Sequence, residues 1–247
     1  MRFEVGGQTN AELGMRNAEF NEGGKWVAIW EKYASYCGPC MSLICRISST
    51  PGINREIIVF NGKNKGVTFI GTNNEMGAKL AADYICKNVP KGSDVAILQG
   101  IIVQSTGRFR ADGSHKGLTE CGLNIVAEQP GDWDRAKGQA VMENIIVGNP
   151  NIKAVFASND NMALGAAEAL KQAAVLDKVL LVGFDANPDA AVSILAGEMS
   201  ASVAQNPYNM GALSVENLMK LIKGEKLAPV IDTGTVLVTK ENAANYK

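Results

Sequence analysis

The sequence predicts an α/β fold built on a doubly wound parallel sheet, and two observations lead there. The first is the stretch from Lys153 to Asp185, KAVFASNDNMALGAAEALKQAAVLDKVLLVGFD. A short apolar run (Ala154 to Phe156), an Ala/Leu-rich helical segment and a second apolar run (Val179 to Val182) give strand, helix and strand. Continuous apolar strands are what a parallel sheet buried on both faces requires, and about thirty residues is the usual size of a βαβ unit. The second observation is recurrence: beyond Glu56, strand starts return every ~25–30 residues with helical segments between them, as in a doubly wound sheet.

In chain order, residues 1–24 are polar and Gly-rich, with a short helix expected around Ala11 to Phe20. An apolar run at Trp26 to Trp30, a cysteine-bearing stretch from Tyr36 to Cys45 and a turn at Ser49-Thr50-Pro51-Gly52 follow. Ile57 to Phe60 reads as a strand, Asn61-Gly62 as a turn and Val67 to Gly71 as a strand. Thr72 or Asn73 then caps a helix carrying Met76, Leu80 and Tyr84 on one face. Strands are expected at Val95 to Leu98 and Asn124 to Ala127, each followed by a helix (Gly107 to Cys121, Asp134 to Val147). After Asp185 come a helix (Asp189 to Ala196), a strand (Ala201 to Ala204), a longer helix (Asn209 to Lys223) and a last strand near Thr235 to Val238.

Composition narrows the function. The 247 residues suffice for one large domain or two lobes of about half that size. With 24 basic and 25 acidic residues and no long run of one sign, neither nucleic acid nor an anionic membrane surface is expected as a main partner. No apolar stretch approaches the ~18 residues of a membrane span, and the N-terminal sequence lacks the basic-then-apolar pattern of a secretory signal. Five irregularly spaced cysteines argue against a disulfide framework, and Cys86 and Cys121, in helical stretches, read as small core residues. The only histidine is His115, so neither a Ser/His/Asp arrangement nor a histidine metal site can be built. No GxxxxGK[ST] loop is present and no GxGxxG follows a strand. No metal or cofactor is expected.

What remains is a series of polar and aromatic residues at strand ends, where open α/β sheets bind ligands. Arg110 offers a planar fork of donors suited to adjacent hydroxyls or a carboxylate, or it is a solvated helix arginine. Trp133 either packs its face on a sugar ring or covers the sheet edge. Asn159 can present a donor and an acceptor, and Asp185 can accept from two neighbouring hydroxyls. Both also read as helix caps, as does Asp160 more strongly. Gln205 is a further polar group, a second carboxamide, at a strand end. Convergent polar groups with an aromatic wall suit a small polar ligand.

From about Ile57 onward, the phrases FIGTNNEMGAKLAADYI, VAILQG, GDWDRAKGQAVMENII, AVFASNDNMALGAAEAL, LLVGFDANPDA and SASVAQNPYNMG carry a resemblance. In order and spacing they resemble the periplasmic sugar-binding proteins of the ribose-binding type, the solute receptors of ABC transporters. The resemblance implies two doubly wound lobes joined by a hinge, the type 1 periplasmic-binding fold. The first lobe would comprise 1–72 plus about 207–232, and the second 73–206 plus about 233–247. It implies that Arg110, Trp133, Asn159, Asp185 and Gln205 hold a sugar, with Phe184 beside it. Residues 1–54 do not read like the family's N-terminal portion, so the first lobe is expected to be incomplete. Asn61-Gly62 stands where an Asp-Arg pair is common, which leaves Asn61 as the nearest candidate there.

The function implied is non-catalytic binding of a monosaccharide between the lobes for delivery to an ABC transporter permease. The protein would be a periplasmic or extracytoplasmic monomer that neither inserts in a membrane nor binds nucleic acid. Two alternatives remain open at this level. The ligand-sensing core of a LacI-type transcription regulator shares the fold. Trp30 to Cys40, WEKYASYCGPC, resembles the active-site segment of thioredoxins, which would make the chain a thiol-disulfide oxidoreductase acting through Cys37 and Cys40.

Overall fold

A computed structural model describes residues 66–247 and, upstream of them, four strand segments, and the chain divides into two compact units. One unit comprises 1–72 with 206–233, the other 73–205 with 234–247.

The first unit contains a sheet ordered β1-β2-β3-β4-β5-β11. Its strands are β1 (Ala18–Asn21), β2 (Lys25–Ala28), β3 (Ile44–Ser48), β4 (Ile57–Phe60), β5 (Gly66–Gly71) and β11 (Val230–Asp232). The expected parallel pairing holds only between β5 and β11, while β1 to β5 form an antiparallel series. Connection length excludes a parallel crossover for β1–β2 and β4–β5. Three residues separate Asn21 from Lys25 and five separate Phe60 from Gly66, whereas a parallel crossover needs about a dozen or more. The helix expected at Ala11 to Phe20 is corrected where it can be seen, because Ala18 to Phe20 are in β1. Asn61, Cys37 and Cys40 lie outside the described residues. One helix, Pro207–Ile222, packs on β4 and β5 of this unit; it begins with Pro207 at its first position, and Asn206 caps it by accepting from Asn209 N–H at 3.0 Å.

The second unit is the doubly wound part. Its strands are β6 (Asp94–Gln99), β7 (Asn124–Pro130), β8 (Ala154–Ala157), β9 (Leu180–Asp185), β10 (Ala201–Gln205) and β12 (Thr235–Thr239), ordered β12-β10-β9-β8-β6-β7. All neighbours are parallel except β12, which runs antiparallel to β10. Its helices are α1 (Asn74–Asn88), α2 (Ser105–Glu120), α3 (Arg135–Gly148), α4 (Asp160–Gln172) and α5 (Pro188–Ala196). The order turns back at β6: the chain goes from β6 outward to β7, then returns to β8, β9 and β10. Right-handed crossovers therefore place α2 on one face and α3, α4 and α5 on the other. The helix α1 packs against α2, and α3 against α4. Every residue of β8 is buried, which is why its sequence shows no polar alternation.

Small residues set these helix contacts. The helix α1 buries Gly77, Ala78, Ala81, Ala82 and Ile85, while Met76 is 64% exposed. Of the expected Met76/Leu80/Tyr84 face, Leu80 and Tyr84 are partly buried against the core and Met76 is not, and the fully buried row is the small-residue one. Close approach favours the row that lacks bulk: a Cβ on Gly113 of α2 would lie 2.3 Å from the Glu75 carbonyl oxygen. Cys86 and Cys121 do pack at the margin of this core, but they are joined in a disulfide that ties the last turn of α1 to the residue after α2. Only the pairing of two helices far apart in sequence brings them together.

Candidate functional site

The site is built at the carboxyl ends of β6, β8, β9 and β10, where the order reverses around β6 and connections leave to opposite faces. Arg110, in the second turn of α2, points back over this edge and is buried. Its Nη1 donates to the Ser158 carbonyl at 2.7 Å and to Asp185 Oδ1 at 3.0 Å, and its Nε donates to Asn74 Oδ1 at 2.9 Å. The guanidinium lies 3.6 Å from the centre of the Phe184 ring and 5.7 Å from that of Trp133. This is not a solvated helix arginine. Burial lowers its pKa, and the Asp185 carboxylate works in the opposite direction; an arginine remains charged in either case.

Asp185 ends β9 with φ at 110°, a value that side chains with a Cβ seldom adopt. Its Oδ1 also accepts from Gln205 Nε2 at 2.7 Å. Arg110, Phe184, Asp185 and Gln205 are therefore brought into one connected group. Asp185 does not cap α5; the residue before that helix is Asn187.

Trp133 and Asn159 stand beside this group. Asp132 and Trp133 both have positive φ, 52° and 67°, in the loop between β7 and α3. The indole Nε1–H donates to Gln104 Oε1 at 2.8 Å. The ring covers Gly100 after β6 so closely that a Cβ there would lie 2.1 Å from it. Asn159 is the N-cap of α4: its Oδ1 accepts from Met162 N–H at 2.9 Å, and its Nδ2 donates to the Trp133 carbonyl at 3.2 Å. The Asn159 amide thus links the α4 start to the Trp133 loop. Asp160, expected as the stronger cap, lies one residue inside the helix and its carboxyl is engaged elsewhere.

Sequence reasoning passed over two participants. Asn74 holds Arg110 from the start of α1; its signal was its place next to Thr72 and Asn73, the only two residues there read, and those for capping. Ser158 supplies its carbonyl to Arg110, and its own hydroxyl is buried without a hydrogen-bond partner at the strand end. Among the described residues, no group of three or more His, Cys, Asp or Glu could hold a metal ion. Chemically the cluster offers a fixed cation, a carboxylate, a carboxamide and two aromatic rings. That combination can take hydroxyls and the C–H faces of a small ring, and it contains no general base paired to a nucleophile.

The known proteins agree with this architecture. A family model described as "Periplasmic binding protein domain" matches residues 53–226. The ribose import binding protein of Escherichia coli is 41% identical over 179 residues, covering 72% of this chain and 60% of that protein. The D-allose-binding periplasmic protein of the same organism is 39% identical over 164 residues, 66% of this chain and 53% of that one. Among solved structures, an ABC transporter periplasmic solute binding protein from Actinobacillus succinogenes with bound D-allose superposes with a TM-score of 0.68 at 35% identity, covering 72% of this chain and 62% of that one. The chain spans about 60% of the length of the curated relatives it matches. It belongs to the periplasmic binding protein domain family, with the α/β fold of that family's sugar-binding members.

Proposed function

We propose that this chain binds a monosaccharide without catalysis, as a solute receptor serving the permease of an ABC importer. The observation that carries the reading is the Arg110–Asp185–Gln205 cluster seated against Phe184 and beside Trp133 at the carboxyl edge of a parallel sheet. A carboxylate already held by a guanidinium and an amide keeps its orientation when a ligand arrives, and charge-assisted bonds to paired hydroxyls are the stronger kind. Asn159 supports the same edge by fixing the Trp133 loop. Relatives named for ribose and for D-allose favour an aldose of that size.

The location that fits is extracytoplasmic. The family model is described as a periplasmic binding protein domain and the D-allose-binding relative is periplasmic by name, and a Cys86–Cys121 disulfide is stable in an oxidising compartment. No helix among the described residues is long and apolar enough to cross a membrane. The two units are read as the two lobes of the receptor, acting as a monomer.

Calorimetric titration with ribose, allose, xylose, galactose and arabinose tests the reading. Saturable binding of one of them, lost in Asp185→Ala, is the expected result. Because the N-terminal 54 residues depart from the family pattern, an affinity near the micromolar range or weaker is expected. Two or three missing charge-assisted bonds would cost about a hundredfold or more. No heat with any of the five sugars would overturn the assignment.

A further inference from the structure

Asp185 owes its position to groups on the far side of its own backbone. The chain turns through the left-handed region at Asp185 and again at Ala186, with φ of 110° and 51°. That region is unfavourable for any residue carrying a Cβ, so surrounding contacts must hold it. The amides that follow Asp185 are held together from the α4 side. Asn187 N–H donates to Asp160 Oδ2 at 2.7 Å, and Ala186 N–H donates to Ser202 Oγ at 3.1 Å. Ser202 Oγ in turn donates to Asp160 Oδ1 at 2.6 Å. Two successive amides thus converge on one carboxyl group, the first through a hydroxyl and the second directly. Asp160 and Ser202 are both fully buried. The space for the carboxyl exists because residue 183 is glycine: a Cβ there would lie 2.3 Å from Asp160 Oδ1.

We propose that Asp160, with Ser202, is a positioning residue for ligand binding: it fixes the Asp185–Ala186 turn and so aims the Asp185 carboxylate at Arg110 and Gln205. The proposal rests on the reading of Asp185 as a ligand contact. Asp160 touches no ligand itself.

The protonation state fits this role. Burial, and after it the Asp185 charge, push the Asp160 carboxyl up to about 8, while Ser202, the Asn187 amide and Arg110 pull it down. The charged groups facing it are Asp185 at the end of β9 and Arg110 of α2. When the acid is neutral it still accepts from Asn187 N–H through Oδ2, and its bond to Ser202 reverses, the carboxyl proton now being donated to Ser202 Oγ instead of the hydroxyl donating to Oδ1. A carboxamide reproduces that pattern, its oxygen accepting from Asn187 and its NH₂ donating to Ser202.

The test uses the full chain with Asp160→Ala, Asp160→Asn and Ser202→Ala, read by amide hydrogen exchange and by titration with ribose and allose. In Asp160→Ala and Ser202→Ala, exchange at Ala186 and Asn187 should rise at least tenfold while β8 amides are unchanged. Affinity for the bound sugar should fall at least tenfold. Asp160→Asn should restore both to within about threefold of the parent, a pattern that general loss of stability would not produce because it speeds β8 as well. Ser202→Ala leaves Asp160 in place and serves where Asp160→Ala does not fold. Unchanged exchange at Ala186 and Asn187 in both truncations, or equal losses in Asp160→Asn and Asp160→Ala, overturns the proposal. If the parent binds none of the five sugars named above, the functional reading fails on that titration alone. The exchange comparison still decides whether Asp160 holds the turn.

Discussion

Asp185 and Asp160 lie close together at the end of β9, and the two sides of the sheet treat them differently. From the α2 side Asp185 meets a guanidinium 3.0 Å away and a carboxamide at 2.7 Å. From the α4 side Asp160 meets only dipoles, a backbone amide and a hydroxyl, and its proton is held up to about 8. Burial and partner both differ: Asp160 is fully enclosed and burial is the larger cause of its raised pKa, whereas the Asp185 side chain is 20% exposed and touches a cation. A cation within contact distance makes a fixed charge that can face a ligand. The same group enclosed without a cation becomes a neutral brace.

The largest effect expected from this contrast is on pH-dependent stability. Unfolded, the Asp160 carboxyl loses its proton near 3.8, and folded it keeps it to about 8. Between those values the folded state binds the additional proton, so stability falls as pH rises. Asp160→Asn removes this titration. Its stability by urea denaturation, relative to the parent, should rise by on the order of 5 kcal/mol across that window. Parallel profiles for the two proteins would erase the difference between the aspartates.

The opposite side can be broken at Arg110. Removing one member of a buried ion pair leaves the other charge unpaired, at about 3–5 kcal/mol. The lower end applies here because the Asp185 side chain is 20% exposed. Arg110→Met should lower chemical-denaturation stability by that amount, with part of it recovered in Arg110→Met/Asp185→Asn. Additive losses in the double variant would mean that the two groups are not coupled.

The same side is also held from its far end by the disulfide. Asn74 begins α1 and Cys86 lies in its last turn, while Cys121 follows the helix that carries Arg110. For a sequence separation of 35, cross-linking the unfolded chain is worth about 3–4 kcal/mol. Cys86→Ser/Cys121→Ser should melt roughly 10 °C lower, with exchange at Asn187 on the α4 side unaltered. A melting point unchanged by both substitutions would remove the covalent half of this comparison.

Two glycines give the finest test. On β9, Gly183→Ala would drive a Cβ to 2.3 Å from Asp160 Oδ1 and should cost about 1–3 kcal/mol by overpacking. On α1, Gly77→Ala meets the Phe184 ring at 2.8 Å, but alanine gains about 1 kcal/mol of helix propensity, so the net change should be smaller. Thermal melts of the pair should rank Gly183→Ala well below Gly77→Ala. The reverse order would place the tighter packing on the Arg110 side.

The sequence by itself determined the α-helices and strands from Ile57 onward apart from β11, the parallel character of β6 to β10 and the set of residues at their strand ends. These are local properties: apolar runs, capping residues and chain-order spacing persist in the unfolded chain. Tertiary structure decided the rest. Met76, Leu80 and Tyr84 make the more apolar stripe, but the fully buried side of α1 is its small-residue row, where Gly77 meets Phe184 of β9 and Ala82 meets Gly117 of α2. Cys86 and Cys121 carry no signal of their pairing, because only the α1–α2 contact sets their separation. Asn159 and Asp160 are adjacent polar residues at one helix start. Which of them caps the helix and which braces a turn 25 residues on depends on where β9 and β10 run beside them, information that no spacing along the chain contains.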